Sequence, residues 1–156
     1  MTDSSQATIN TGAVDSTGPV LTDISALPGQ LSVGENLEIS YTADDAYGID
    51  SATFTFRDSA GNRMFLQDYD DTGSVSTRIP DNRPAGTIIL DSIQLIDTAS
   101  SRNVSNYERD CDLRGINQAD THNFDLSGYD LNLARDCQDP TASMPIFRKN
   151  VLLGGR

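Results

Sequence analysis

The chain has 156 residues, a formal net charge of −12 and a sequence pI of about 4.2. A chain this acidic lacks the basic footprint that nucleic-acid binding requires, and an anionic membrane surface would repel it. It also lacks an uninterrupted apolar run of about 18 residues, so no membrane-inserted helix is predicted.

The acidic residues are almost all aspartate: the chain has 20 Asp, 3 Glu and one lysine, Lys149. Glu and Lys favour helices, whereas Asp favours turns and caps, so this composition disfavours a helical protein. Short carboxylates on loops are good calcium ligands. A merely solvated acidic surface would have the same composition, and both interpretations stay open at this point.

Residues Met1–Thr17 are rich in Ser, Thr, Ala and Gly without an apolar centre, so we expect a linker and not a signal peptide. Beyond them, short runs alternate apolar and polar residues, as in Leu37, Ile39 and Tyr41. This period predicts half-buried strands at 20–26, 36–43, 51–57, 62–67, 74–79, 87–96 and 103–108. The apolar phase shifts within the sixth run, which predicts a β-bulge near Asp91 and Ser92.

Turn signals separate these runs, and residues 109–121 are polar enough to be a loop. A last strand region is expected at about 122–133. The pattern predicts an all-β sandwich of about seven to nine antiparallel strands, with no helix longer than two turns. We expect a linker at 1–14, the sandwich at 15–138, and at 139–156 a C-terminal linker or the start of a second copy. The latter is suggested because Asp139–Phe147 echoes the plan of Asp15–Leu21.

Two cysteines, Cys111 and Cys137, enclose a 25-residue segment. A disulfide between them would stabilise the fold by roughly 3 kcal/mol through loop entropy and would imply an oxidising compartment. Two free thiols in a cytosolic protein are the alternative. A zinc site made with His122 is disfavoured by the irregular spacing, and His122 is expected to be a surface residue.

If consecutive strands run antiparallel, the acidic loops meet at one pole of the sandwich, whereas Arg63 and Arg83 lie at the other. Crowded carboxylates repel one another unless a cation lies among them, and calcium takes six to eight oxygen ligands. No EF-hand spacing is present, and some of these aspartates can simply cap turns. The candidate calcium ligands are Asp15, Asp44, Asp45, Asp50, Asp97 and Asn103.

Four runs carry a family resemblance: TGPVLTDIS, ADDAYGIDSATFTF, GTIILDSIQLIDTASSRNVSNYERD and THNFDLSGYDLNLA. Over about residues 15–133 the chain resembles the immunoglobulin-like (cadherin-like) repeats of bacterial secreted and surface proteins, such as adhesins and accessory domains of extracellular hydrolases. The resemblance implies an immunoglobulin-like sandwich, calcium near the interdomain linker, and a spacer or adhesive role. Asp15, the Asp44–Asp45 pair and Asp97 lie where such ligands are expected.

Catalysis finds little support, because the chain has one histidine and neither a GxSxG nor a phosphate-binding loop. We therefore expect a non-catalytic, extracellular calcium module whose partners are neighbouring domains and a glycan or cell-surface receptor. The alternative is a carbohydrate-binding accessory module that stacks sugars on exposed tyrosines. A spacer without metal is the third interpretation. The candidate sugar-stacking residues are Tyr47, Tyr69, Tyr107 and Tyr129.

Overall fold

The computed structural model describes residues 14–115 and 121–134. The strands in these ranges are β1 (Val20–Ile24), β2 (Gln30–Ser32), β3 (Asn36–Asp44), β4 (Ile49–Asp58), β5 (Arg63–Asp68), β6 (Ser74–Arg78), β7 (Gly86–Asp97), β8 (Val104–Glu108), β9 (Leu113–Gly115) and β10 (Leu131–Ala134). A short 3-10 helix, Leu126–Tyr129, precedes β10. In the described part of the chain, no helix has the length and apolar character needed to cross a membrane.

The strands form two sheets that pack face to face. The smaller sheet has the order β1-β3-β6, and the larger has the order β2-β10-β7-β4-β5. Strand β8 pairs with the second half of β7, and β9 pairs with β8. The pairs are antiparallel apart from β2 and β10, which run parallel. This order is that of an immunoglobulin-like sandwich with the β8–β9 hairpin inserted before the last strand. The predicted fold class is confirmed.

The core lies between the two sheets and follows the alternation read from the sequence. Leu37, Ile39 and Tyr41 of β3 face inward, and Phe54 and Phe56 of β4 are fully buried opposite them. Burying a large apolar side chain contributes about 1.5–3 kcal/mol relative to leaving it exposed. Strand β4 pairs with β5 on one side and β7 on the other, and its two phenylalanines anchor it to the core.

Strand β7 carries the predicted bulge. Thr55 pairs with Ser92 and Phe56 pairs with Leu90, so Asp91 is the extra residue between them. Asp91 and Ser92 are both partly exposed, whereas Leu90 and Ile93 on either side are buried. The bulge thus keeps both halves of the strand in contact with the core while it turns Asp91 outward.

Strands β2 and β9 lie outside the predicted strands. Each has three residues, which is too short for an alternating pattern, and each is fixed by pairing with a partner distant in sequence or across a tight turn. The prediction that 109–121 is entirely loop is therefore wrong at β9. The expected boundaries at 14/15 and 138/139 stay predictions, because residues 1–13 and 135–156 lie outside the described ranges.

Candidate metal centre

Three chain segments bring one aspartate each to the same pole of the sandwich. Asp15 precedes β1, Asp45 follows β3, and Asp97 ends β7. One carboxylate oxygen from each lies within 4.8 Å of the other two. The prediction that acids from these three segments meet at one pole is thereby confirmed for this triad.

Asp97 is the inner member of the triad. The side chain has no solvent exposure, and the tight β7–β8 loop wraps around it. Oδ1 accepts hydrogen bonds from the backbone N–H of Asn103 at 2.8 Å and of Ala99 at 3.2 Å. Oδ2 accepts one from Nδ2 of Asn103 at 2.8 Å. These bonds fix the position of the carboxylate, but none of them brings a positive charge.

Asp15 and Asp45 each stabilise a local turn with one oxygen. Oδ1 of Asp45 accepts a hydrogen bond from the backbone N–H of Tyr47 at 2.8 Å. Oδ1 of Asp15 accepts from both the backbone N–H and the hydroxyl of Thr17, each at 3.1 Å. Oδ2 of Asp15 is buried and accepts no hydrogen bond from any described residue. A buried carboxylate oxygen left in this state requires a partner such as a cation or an ordered water.

The pKa values of Asp15 and Asp45 are shifted in opposite directions. The pKa of Asp45 is raised, first by burial and then by the negative charges of Asp15 and Asp97. The pKa of Asp15 is lowered, chiefly by the hydrogen bond from the Thr17 backbone. Asp15 therefore stays ionised and adds to the repulsion at Asp45. A bound cation would reverse the repulsion at Asp45, because it favours the charged form.

The other predicted ligands have different surroundings. Asp44, the last residue of β3, is exposed and is not part of the triad. Asp50 forms an ion pair with Arg102. Asn103 is buried beside Asp97, and its side-chain amide is committed to that carboxylate through Nδ2. Asp44 and Asp50 thus belong to the same pole without joining the close cluster.

Cys137 of the predicted disulfide lies outside the described residues, whereas Cys111 is exposed in the turn between β8 and β9.

The expectation that His122 is a surface residue is wrong. It is 8% exposed and packs against the rings of Tyr107 and Phe124. Nε2 lies 2.7 Å from the carbonyl oxygen of Glu108, and Nδ1 accepts a hydrogen bond from Phe124 N–H. Both ring nitrogens are thus used in packing the C-terminal segment.

The candidate tyrosines divide into two groups. Tyr107 is buried, and its hydroxyl oxygen accepts a hydrogen bond from Leu21 N–H at 2.7 Å, while Tyr129 is half-buried. Tyr47 and Tyr69 are 50% and 65% exposed on loops. The exposed aromatic residue that sequence reasoning missed is Phe65, 54% exposed on β5. Its place in an alternating run, between the buried Met64 and Leu66, was the signal that it faces outward.

The fold and this triad define the chain as an immunoglobulin-like β-sandwich with a cluster of aspartates where the N-terminal segment meets two loops. No protein-family model matches the chain, and no significant match was found among curated proteins or solved structures.

Proposed function

We propose that this chain is a non-catalytic, calcium-binding immunoglobulin-like module of a secreted or cell-surface protein, where it acts as a spacer or adhesion domain. The observation that carries the proposal is the Asp15–Asp45–Asp97 triad, whose carboxylates approach one another without a neighbouring arginine or lysine among the described ion pairs.

The geometry of the triad fits a calcium ion. Calcium binds oxygen at about 2.3–2.6 Å, so two ligands of one ion can be up to about 5 Å apart. The three carboxylate oxygens lie within 4.8 Å of one another, so one ion can contact all three. Magnesium demands near-octahedral geometry at about 2.0–2.1 Å and gives up its water reluctantly, so a site made from three separate chain segments favours calcium. Calcium would also provide a partner for the buried Oδ2 of Asp15. Water and backbone carbonyl oxygens would complete its coordination.

The position of Asp15 supports a spacer role. It lies in the segment that leads into β1, and its carbonyl oxygen accepts a hydrogen bond from the Ser101 hydroxyl in the β7–β8 loop. A cation shared by Asp15, Asp45 and Asp97 would tie this segment to two loops of the domain. The direction in which the preceding chain leaves the sandwich would then depend on calcium. Neighbouring domains of the same polypeptide, and a glycan or cell-surface receptor, are the proposed partners.

Calcium binding is tested by isothermal titration of chelator-treated protein with calcium chloride and, separately, magnesium chloride. We expect calcium to bind wild type more tightly than magnesium does, and Asp45→Asn to weaken calcium binding at least tenfold. Asp44→Asn is the matched control, because it removes the same charge from the adjacent, exposed residue. Absence of a calcium isotherm, or equal losses in the two variants, would refute the site and leave the triad as a solvated acidic surface.

A further inference from the structure

The outward face of the larger sheet contains a cleft where the β7 bulge meets the turn after β8. The cleft has a volume of about 310 Å³ and is lined by Arg57, Asp91, Glu108, Arg109 and Asp110. The bulge at Asp91 forms one wall, and the backbone N–H of Arg109 binds the Asp91 carbonyl oxygen at 3.1 Å. The cleft is therefore supported by two paired strands.

Two arginines in this cleft form ion pairs with carboxylates. Arg57 donates through Nη2 to Asp91 at 2.8 Å. Arg109 binds both oxygens of Asp130, at 2.7 and 2.8 Å, and also donates to the Leu90 carbonyl oxygen. The bidentate pair fixes the guanidinium plane of Arg109, and the single bond to Asp91 orients Arg57.

The cleft contains both a hydrogen-bond donor and an acceptor. The Arg57 side chain is 42% exposed, so its guanidinium group can reach a ligand. Glu108, the last residue of β8, is partly exposed and lines the same cleft. An anionic ligand would meet Glu108 and Asp110, and a cationic one would meet Arg57, so a neutral ligand is favoured.

A hydroxyl group can bind both the Arg57 donor and the Glu108 acceptor, because it accepts one hydrogen bond and donates another. A neutral ligand with adjacent hydroxyls could accept from the Arg57 guanidinium group and donate to the Glu108 carboxylate. This is the chemistry of a sugar ring, which carries several adjacent hydroxyls.

An exposed aromatic ring shares this face. Strand pairing places Phe65 opposite Thr55, Thr55 opposite Ser92, and Ser92 opposite Glu108. Adjacent strands are about 4.8 Å apart, so Phe65 and Glu108 mark the ends of a row of roughly 14 Å. A row of this length suits an oligosaccharide better than a single ring, and an aromatic face at one end can stack on a sugar.

We infer that this face binds a neutral oligosaccharide, with Arg57 and Glu108 binding the hydroxyls of one ring and Phe65 stacking on another. The surface is distinct from the aspartate triad: Asp91 and Asp97 are separated by six positions on β7, or about 20 Å along an extended strand. The inference does not depend on calcium.

The test is affinity electrophoresis through gels that contain laminarin, hydroxyethyl cellulose or galactomannan, with alginate as an anionic comparison. We expect at least one neutral polysaccharide to retard the wild-type protein, equally in calcium and in chelator. Phe65→Ala and Arg57→Gln should each weaken this binding about tenfold, as expected for one lost contact of about 1.4 kcal/mol. Glu108→Gln should weaken it while leaving the melting temperature unchanged.

Two matched control variants change similar residues outside this face. Tyr69→Ala removes an aromatic residue that is more exposed than Phe65 and lies on a loop, and Arg78→Gln removes an arginine that pairs with Asp81 outside this face. Both should bind as wild type does. No retardation by any neutral polysaccharide, retardation by alginate alone, or normal binding by both Phe65→Ala and Arg57→Gln would overturn the inference. Loss of sugar binding on chelation alone would also overturn it, because it would assign the sugar to the calcium site.

Discussion

In calcium-free buffer, Asp45→Asn should stabilise the protein. The substitution removes one of three adjacent carboxylates but keeps Oδ1, which accepts the hydrogen bond from Tyr47 N–H. The turn is therefore preserved while the repulsion from Asp15 and Asp97 is relieved. Because burial, and after it these charges, raise the pKa of Asp45, the ionised wild-type side chain destabilises the folded state without a cation.

The magnitude follows from the Asp45–Asp97 pair. At 4.8 Å, the limit of their separation, two like charges repel by ~0.9 kcal/mol at the dielectric constant of water and by ~3.5 kcal/mol at an effective value of 20. Asp45 is partly exposed, so a gain of about 1–2 kcal/mol is expected. In a protein of this size, that gain corresponds to a rise in melting temperature of roughly 2–8 °C.

Calcium should invert the order of the two proteins. At a thousandfold excess over Kd, calcium stabilises the wild type by about 4 kcal/mol, and the variant loses most of this because it lacks one charged ligand. Melting curves of both proteins in chelator and in calcium measure the inversion. In chelator, the difference should shrink as the pH falls below the raised pKa of Asp45, because the wild-type carboxyl is then protonated. A variant that melts below wild type by the same amount in both buffers would refute this electrostatic reasoning.

Three further predictions concern the stability of the fold. Asp68→Asn should lower the free energy of unfolding by about 2–3 kcal/mol, because a buried acceptor becomes partly a donor, whereas the exposed Asp70→Asn should change it by less than about 0.5 kcal/mol in urea titrations. Tyr107→Phe should cost about 1–3 kcal/mol in the same assay, since it leaves a buried β1 N–H without an acceptor; an unchanged midpoint would contradict the burial of that hydroxyl. Cys111 and Cys137 should give no free thiol on titration under denaturing, non-reducing conditions, and two titratable thiols would exclude the disulfide.

The sequence predicts most of this fold because its longer strands alternate cleanly. The alternating residues of β3 and β4 indicate both the strand and the side that faces the core, and the phase shift in β7 locates the bulge at Asp91. Strand β2 could not be predicted, because its three residues become a strand only through parallel pairing with β10. The packing of His122 could not be predicted either, since it depends on the ring of Tyr107, which β8 supplies.

The sequence predicts which loops form the candidate site, but not which of their side chains form the triad. Strands that follow one another in antiparallel order place the acidic loops at one pole, and this placement depends only on the number of strands. The distinction between Asp44 and Asp45 depends on where β3 ends, and a shift of one residue reverses the direction of the side chain. The pairing of Asp50 with Arg102 depends on the conformation of a loop, which the composition of that loop does not determine.

Comparison with two other buried aspartates explains why the triad stands apart. Asp58 is neutralised by Arg83 and caps its turn, and its pKa is lowered chiefly by the hydrogen bond from Asn62. Burial alone would raise the pKa of Asp68, but hydrogen bonds from the Asp70 backbone, the Tyr41 hydroxyl and others outweigh it and lower the pKa.

Each of these aspartates is therefore stabilised in its ionised form by the protein itself. The stability that these ionised aspartates give the fold is present above the pKa of the unfolded state. It is lost as the pH falls through the lower pKa of the folded state. The triad differs because Asp97 is as deeply buried, yet Asp15 and Asp45 add negative charge beside it. Folding brings these carboxylates together without a compensating arginine among the described ion pairs. The missing positive charge is what a divalent cation would supply, and only at this pole should its removal change the stability of the fold.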